Sequence, residues 1–207
     1  DASPVVRQFT GIFVGKKEYT NLPRKFNVTI TACKENCTHA ETQDLALTPA
    51  SKEAEGEVVN GFNVAAGGKM GSGGYRMASP LNLFVTQADA AEICSHIVRI
   101  FRDHGFRESR AKARLAFLID DWGVEKFRKE LERRAGRPLL TAGRDERAEK
   151  HVDHVGVYRQ KQPGLNYVGL AVRVGRVTGE QLWEVADLAE QFQRAVLRGG
   201  GSEPFVA

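Results

Sequence analysis

The chain has 207 residues, of which 42% are hydrophobic, 27% charged and 8% aromatic, and it carries a formal net charge of +4 with a pI near 9.0. This apolar fraction excludes a wholly disordered chain. No stretch approaches the roughly 18 consecutive apolar residues of a membrane span, so we expect no membrane association. The mild positive charge alone does not distinguish nucleic acid, an acidic protein or a small anion as partner.

The start of the chain and its cysteine count predict a cytoplasmic fragment. The sequence opens on Asp1, without an initiator methionine and without a charged-then-apolar leader. Three cysteines are an odd number, whereas a disulfide-stapled secreted domain carries more cysteines in even number. We therefore expect a reducing cytoplasm and a chain that is a fragment.

The first third of the chain has the periodicity of strands. Residues 1–24 hold no sustained period and are predicted to form an extended lead-in. Strict alternation predicts a strand at 25–31, and shorter runs predict further strands at 44–48 and 61–66. The acidic stretch 51–57 is predicted to be a surface loop.

Helices follow, and then the character of the chain changes. Apolar residues at helical spacing predict helices at 87–104, 109–121 and 124–135, with Gly123 between the last two. A linker is expected at 141–151. Two strands at 152–159 and 168–174 precede a helix that opens at Thr178, with Gln181 at the capping-box spacing, so that 152–193 form a ββα unit too small to be stable alone. We expect a disordered tail at 194–207.

A glycine-dense loop at 67–74 is the first candidate binding element. It is neither a Walker A motif, since Met70 stands where Ser or Thr is required, nor a dinucleotide fingerprint, since Arg76 stands at the third glycine. Glycines such as Gly67 and Gly68 let the backbone approach a flat or anionic ligand closely. A flexible hairpin tip is the alternative, and it is favoured on sequence alone.

The cysteines are a second candidate. Cys33 and Cys37 are four positions apart, with His39 nearby, and thiolates bind zinc and iron–sulfur centres. A four-ligand site needs a second pair, and only Cys94 is left, on the apolar face of a predicted helix. Cys94 is therefore predicted to be a core residue, and a metal site on Cys33 and Cys37 is the less favoured interpretation.

A run of cations is the strongest candidate. Arg107, Arg110, Lys112 and Arg114 lie within eight residues, and Arg24 precedes the first predicted strand. A solvated helix face is the usual fate of such a run. The small alanines around the cations also suit a cleft floor that meets carboxylates or an oxyanion. Spacing alone does not establish that these cations converge.

Five segments in this order resemble the sirohaem-containing nitrite and sulfite reductases. They are Leu-Pro-Arg-Lys-Phe-Asn at 22–27, Cys-Thr-His-Ala-Glu at 37–41, Gly-Phe-Asn-Val with Gly-Gly at 61–68, Arg-Ala-Lys-Ala-Arg-Leu through Asp-Trp-Gly at 110–123, and 154–169. The likeness covers about residues 5–192, and the ordered co-occurrence makes it specific. It implies an α+β fold, with a nitrite/sulfite reductase haemoprotein-type domain at 25–140 followed by part of a ferredoxin-like segment at 152–193.

The resemblance also implies chemistry. Family members reduce nitrite to ammonia or sulfite to sulfide by six electrons, commonly from ferredoxin, on a sirohaem bridged to a 4Fe-4S cluster. It places Arg24, Lys112 and Arg114 at the substrate anion and the sirohaem carboxylates, with Arg110 holding carboxylates and Gly67 and Gly68 beside the cofactor. Fixed cations at these positions lower the cost of desolvating an anion and assist N–O or S–O cleavage.

Departures from the family pattern limit this reading. The Cys-x5-Cys and later Cys-x3-Cys ligand pairs of the family are missing, and Cys33 and Cys37 resemble the pseudo-symmetric counterpart of the second pair, so the cluster-ligand role is not carried over to them. We expect the cluster ligands in a second-half polypeptide, and the chain itself to be a truncation, a split subunit or a frameshifted product of such an enzyme. The predicted function is thus half of a ferredoxin-dependent nitrite reductase, with sulfite reductase as the close alternative.

Two further classes are weighed against this prediction. A non-catalytic remnant, or a subunit that only binds tetrapyrrole, accounts for the missing cluster ligands. A nucleic-acid binder is disfavoured, because no aromatic residues interleave with the cations between Arg107 and Arg114.

Overall fold

The structure is a computed structural model that describes residues 1–54, 56–71, 74–149 and 153–191, together with the backbone of 197–198 and 204–205. It divides into two compact units, Asp1–Asp153 and His154–Ala207. In the described part of the chain, every helix is too short or too polar to cross a membrane.

The first unit combines a five-stranded mixed sheet with three helices, which confirms the expected α+β class. Its sheet has the order β1-β2-β3-β4; β1 runs parallel to β2, the other neighbours are antiparallel, and β5 pairs with β2. In chain order the elements are α1 (Ser3–Phe13), β1 (Val28–Ile30), β2 (Leu45–Ala54), β3 (Glu57–Ala66), β4 (Ser79–Thr86), α2 (Ala90–His104), α3 (Leu115–Ala135) and β5 (Arg144–Asp145).

One core lies between the sheet and the helices. Residues 45–51 of β2 are all buried, whereas only part of β3 and of β4 is, and α2 presents the face that the sequence predicts. Cys94 belongs to that face and is 1% exposed, so its predicted core position is confirmed. The principal core residues are Leu45, Leu47, Phe62, Val64, Leu81, Leu83, Ile93, Ile97, Ile100, Phe101, Leu115, Leu118, Ile119, Phe127 and Leu131.

The predicted break at Gly123 is confirmed. Its φ of 70° interrupts α3 with a left-handed residue, which glycine adopts without strain. The helix predicted from 109 begins later, at Leu115, and a 3₁₀ turn (Arg110–Lys112) precedes it. Arg114 between them is extended, with φ −77° and ψ 156°. This conformation carries its side chain into the core instead of continuing the helix.

Two predictions for the first unit were wrong, and one strand was missed. Residues 1–24 are not extended throughout, because α1 begins with Pro4 in its first turn and packs Val5, which is 1% exposed, into the core. The loop expected at 51–57 is largely strand, because β2 and β3 pair as far as Ala54 with Glu57 and the ladder overrides polar composition. β4 was not predicted, since Pro80 and the consecutive apolar residues 83–85 interrupt its alternation.

The stretch expected to be a linker, 141–151, lies partly against the sheet. Asn63 holds Gly143 by two hydrogen bonds, from Nδ2 to the Gly143 carbonyl (3.0 Å) and from the Gly143 amide to Oδ1 (2.9 Å). Glu146 accepts hydrogen bonds from Ser51, Lys34 and Arg144, which lower its pKa to about 2. Pairing of β5 with β2 therefore extends the first unit beyond α3.

The second unit contains an antiparallel hairpin and a helix. These are β6 (Gly156–Arg159), β7 (Asn166–Gly169) and α4 (Gly179–Gln191), while β8 (Leu197–Arg198) pairs with β9 (Pro204–Phe205) in the stretch expected to be a disordered tail. The rest of 192–207 lies outside the described residues. The predicted capping box is confirmed, since the Thr178 and Gln181 side chains each accept from the other's backbone amide. Between 153 and 191, every described side chain is at least partly exposed.

Replacing Asn63 tests how the 141–151 stretch is held. Asn63→Ala removes both hydrogen bonds to Gly143, so we expect amide hydrogen exchange at Gly143 to accelerate about tenfold. Asn60→Ala, an exposed position on the same strand, is the matched control and should leave that rate unchanged. Equal rates in both variants would contradict the assignment of Asn63 as the clamp.

Candidate anion-binding site

A buried ion pair stands at the centre of the candidate site. Arg114 donates from Nε to Asp44 Oδ1 at 2.8 Å and from Nη2 to Asp44 Oδ2 at 2.7 Å. Asp44 is fully buried and Arg114 is 8% exposed. A side-on pair with two parallel hydrogen bonds fixes the plane of the guanidinium as well as its position.

Asp44 also connects the ends of three strands. Its Oδ2 accepts from the Asn27 amide at 2.7 Å, just before β1, and its carbonyl accepts from the Gly67 amide at 2.8 Å, just after β3. The Leu45 amide donates back to the Asn27 carbonyl at 3.1 Å. One residue therefore joins the chain before β1, the start of β2, the end of β3 and the start of α3.

The Asp44–Arg114 pair, with the Asn27 amide, is one tether between the segments 21–27 and 105–114. A second tether joins the same two segments at Asn21 and Arg107. Arg107 donates from Nη1 to Asn21 Oδ1 (3.2 Å) and from Nη2 to the Asn21 carbonyl (2.8 Å). Gly105 packs so closely on Pro23 that a Cβ at Gly105 would lie 2.7 Å from Pro23 Cγ. The segments 21–27 and 105–114 thus lie side by side, fastened at both ends.

The remaining cations lie between these two tethers. Nη1 of Arg24 is shielded from solvent and has no hydrogen-bond partner among the described residues. Arg110 and Lys112 are exposed on the 3₁₀ turn, and the described carboxylates form no ion pair with them. A buried donor without an acceptor is unfavourable, so the region between the tethers is suited to an anion.

The two glycines do something other than approach a ligand in this structure. A Cβ at Gly68 would lie 2.5 Å from the carbonyl oxygens of Gln43 and Glu41, and one at Gly67, whose φ is +82°, would lie 3.1 Å from Ile119 Cγ1. The close approach that these glycines permit is therefore to the chain's own backbone and core. Contact of Gly67 and Gly68 with a cofactor stays a prediction.

Cys33 and Cys37 are half-buried and lie close together, whereas Cys94 is buried in the core. Sγ of Cys33 and Sγ of Cys37 lie within 4.8 Å of each other. Burial, together with the neighbouring Cys33 thiol, raises the pKa of Cys37, and burial alone raises the pKa of Cys94 to about 12. Raised pKa values disfavour the thiolate form that a metal requires. The exclusion of Cys33 and Cys37 as cluster ligands stays a prediction.

The sequence analysis identified the exposed cations of the site. It missed the residues that hold those segments in place. Asp44 was assigned only to a strand, and Asn21 and Asn27 were not considered. Arg107 was grouped with the free cations but serves as a tether. The signal available for Asp44 was a charged residue directly before an apolar strand, where burial requires a partner.

The comparisons with known proteins show the family to which the chain belongs. The family model described as the nitrite and sulphite reductase 4Fe-4S domain matches residues 1–139, and the nitrite/sulfite reductase ferredoxin-like half domain matches 158–199. The chain belongs to the nitrite and sulphite reductase family. The predicted resemblance and fold are thereby confirmed.

Individual relatives define how much of a family member the chain represents. It is 40% identical, over 96% of its length, to the assimilatory ferredoxin-dependent nitrite reductase of Haloferax mediterranei, and 38% identical, over 92%, to sulfite reductase [ferredoxin] 1 of Mycolicibacterium paratuberculosis. The structure of the Mycobacterium tuberculosis NirA protein matches 92% of the chain at 35% identity and a TM-score of 0.82. The chain spans 36%, 33% and 34% of the length of these three proteins.

Gly68→Ala tests the structural role of the glycine pair in this family member. Because the added methyl group meets two fixed carbonyl oxygens, we expect a loss of about 1–3 kcal/mol in the free energy of unfolding, measured with denaturant. Gly11→Ala in α1, where a Cβ meets nothing within 4 Å, is the control and should stabilise by about 0.5–1 kcal/mol. An unchanged stability of Gly68→Ala would contradict the structural role of this glycine.

Proposed function

We propose that the chain is the first half of a sirohaem-dependent reductase that converts nitrite to ammonia with six electrons from ferredoxin. The observation that carries the proposal is the placement of Arg24, Arg110 and Lys112 between two tethers, with hydrogen-bond donors that the described residues leave unused. The chain's similarity to nitrite reductases supports the same substrate and donor. The cytoplasmic location stays a prediction.

The residues present fit a sirohaem. This cofactor carries eight carboxylates, and the buried Nη1 of Arg24 and the exposed side chains of Arg110 and Lys112 are donors of the kind that carboxylates accept. When bound, sirohaem supplies the iron at which the substrate anion is reduced. The chain itself supplies positive charge at fixed points around that anion.

The guanidinium and ammonium groups have different roles because their acidities differ. A guanidinium stays charged at all accessible pH values, so Arg24 orients the anion and Arg110 holds carboxylates. An ammonium releases a proton more readily, so Lys112 Nζ delivers protons as N–O bonds break. Arg114 contributes by position, since its guanidinium is paired side-on with Asp44.

A 4Fe-4S cluster does not fit on this chain alone. Four thiolates hold such a cluster, whereas the sequence has three cysteines and Cys94 lies in the core. We therefore place the cluster ligands in a second-half polypeptide. The exposed apolar residues of the second unit support this partner, since Val157 is 70%, Val168 62% and Trp183 74% exposed.

Two alternatives have support of their own. Sulfite reduction to sulfide by the same site is supported by the 38% identity to a ferredoxin-dependent sulfite reductase. A non-catalytic, tetrapyrrole-binding subunit is supported by the shortage of cysteines. Nucleic-acid binding remains disfavoured for the reason given by the sequence.

Lys112→Met tests the site with the chain alone. The probe is uroporphyrin, a fluorescent metal-free tetrapyrrole with eight carboxylates, and its dissociation constant is measured by fluorescence quenching. Loss of a charge-assisted hydrogen bond should weaken binding about tenfold, while the unfolding midpoint stays unchanged because Lys112 is exposed. Lys129→Met, an exposed lysine of α3, is the control. Equal affinities for both variants would indicate that Lys112 belongs to an ordinary solvated surface and does not bind the probe.

Reconstitution tests the reaction. Co-expression with a second-half polypeptide of a family member should give a sirohaem absorption band and nitrite reduction driven by reduced methyl viologen. Faster turnover of sulfite than of nitrite would favour the first alternative. A complex that binds sirohaem and reduces neither anion would overturn the catalytic proposal in favour of the binding subunit.

A further inference from the structure

We propose that Asp44 is a positioning residue for the anion-binding segment: by its side-on pair with Arg114 it fixes the Arg110–Lys112 turn in place, and Arg114 is the anchor of that turn. The inference rests on the proposed function, since it concerns how the same site is held. It assigns a role to a carboxylate that makes no contact with the anion.

The turn has little else to hold it. Arg110–Lys112 contains no buried residue, and Ser109 provides no side-chain cap for it. The Lys112 amide bonds only to the Ser109 carbonyl, at 2.9 Å, within the turn itself. The first buried residues after the turn are Ala113, which is 1% exposed, and Arg114. The location of Lys112 relative to the sheet is therefore set by the anchor that follows it, together with the Arg107–Asn21 bonds that precede the turn.

Arg114 is engaged in that anchoring by the geometry of its guanidinium. Nε and Nη2 share one edge, and both are bonded to Asp44 at 2.8 and 2.7 Å. Only Nη1 is left over, on a side chain that is 9% exposed. The net positive charge of the segment thus comes from Arg110 and Lys112, because the charge of Arg114 is matched by Asp44.

When Asp44 is replaced by Asn, the loss of positioning and the loss of negative charge change the affinity for an anionic ligand in opposite directions. Asp44→Asn removes a negative charge, so a purely electrostatic effect strengthens the binding of an anionic ligand. Loss of position weakens it, because the amide no longer holds the guanidinium by two charge-assisted bonds and the turn is released. The direction of the change in affinity therefore separates the two accounts.

The experiment measures uroporphyrin binding to the Asp44→Asn chain by fluorescence quenching at low salt. We expect the dissociation constant to rise about tenfold, as for loss of an outer support of a binding residue. Glu108→Gln, which removes an exposed negative charge beside the same turn, should leave affinity unchanged or slightly increase it. Affinity of Asp44→Asn equal to or above wild type, with a native circular dichroism spectrum, would overturn the proposal.

Two further variants keep the test decisive. Leu131→Ala, a fully buried position on α3, lowers the melting midpoint without touching the pair and should leave probe affinity unchanged below its melting range. Arg114→Lys retains the charge but not the side-on pair, so it should weaken binding about as much as Asp44→Asn, and the double variant should add little to either. It also carries the test if Asp44→Asn fails to fold. Additive effects, or wild-type affinity of Arg114→Lys, would contradict the anchor.

The result is distinguishable from failure of the proposed function. If Lys112→Met and Asp44→Asn both bind uroporphyrin as wild type does, the site itself is wrong. If Lys112→Met weakens binding and Asp44→Asn does not, the site stands and only the positioning role of Asp44 is wrong.

Discussion

The side-on pair of Asp44 and Arg114 connects the fold to the candidate site. Removing one partner of a buried, hydrogen-bonded ion pair typically costs about 3–5 kcal/mol, because the other charge is left without compensation. Here the same carboxylate also accepts from the Asn27 amide, so the pair joins the segment before β1 to the start of α3. The organisation of the anion-binding region depends on this junction, because it fixes both segments that carry the cations.

Two classes of cation follow from that junction. Arg107 is bonded to Asn21 and Arg114 to Asp44, and these bonds hold the segments 21–27 and 105–114 together. Arg24, Arg110 and Lys112 lie between these fastenings and keep donors for a ligand. A run of basic residues thus acts partly as scaffold and partly as binding surface, and the hydrogen-bond partners of each side chain decide which residue belongs to which class.

Local patterns predicted much of the fold, and long-range pairing accounts for the rest. The apolar face of α2, the break at Gly123 and the capping box at Thr178 are confirmed, because each depends on spacing within one element. α1 and β4 could not be read in this way, since their conformations are decided by packing and by ladder partners distant in sequence. Arg24 and Lys112 were recognised as candidates from local motifs, whereas Asp44 lies 70 residues from Arg114 and no local pattern links them.

A crystal structure of the chain with bound uroporphyrin tests the central claim most directly. The account predicts probe carboxylates within hydrogen-bonding distance of Arg24 Nη1 and of the Arg110 and Lys112 side chains, with the Asp44–Arg114 pair intact beneath them. Carboxylates bound elsewhere on the chain, with the region between the two tethers left to solvent, would contradict it.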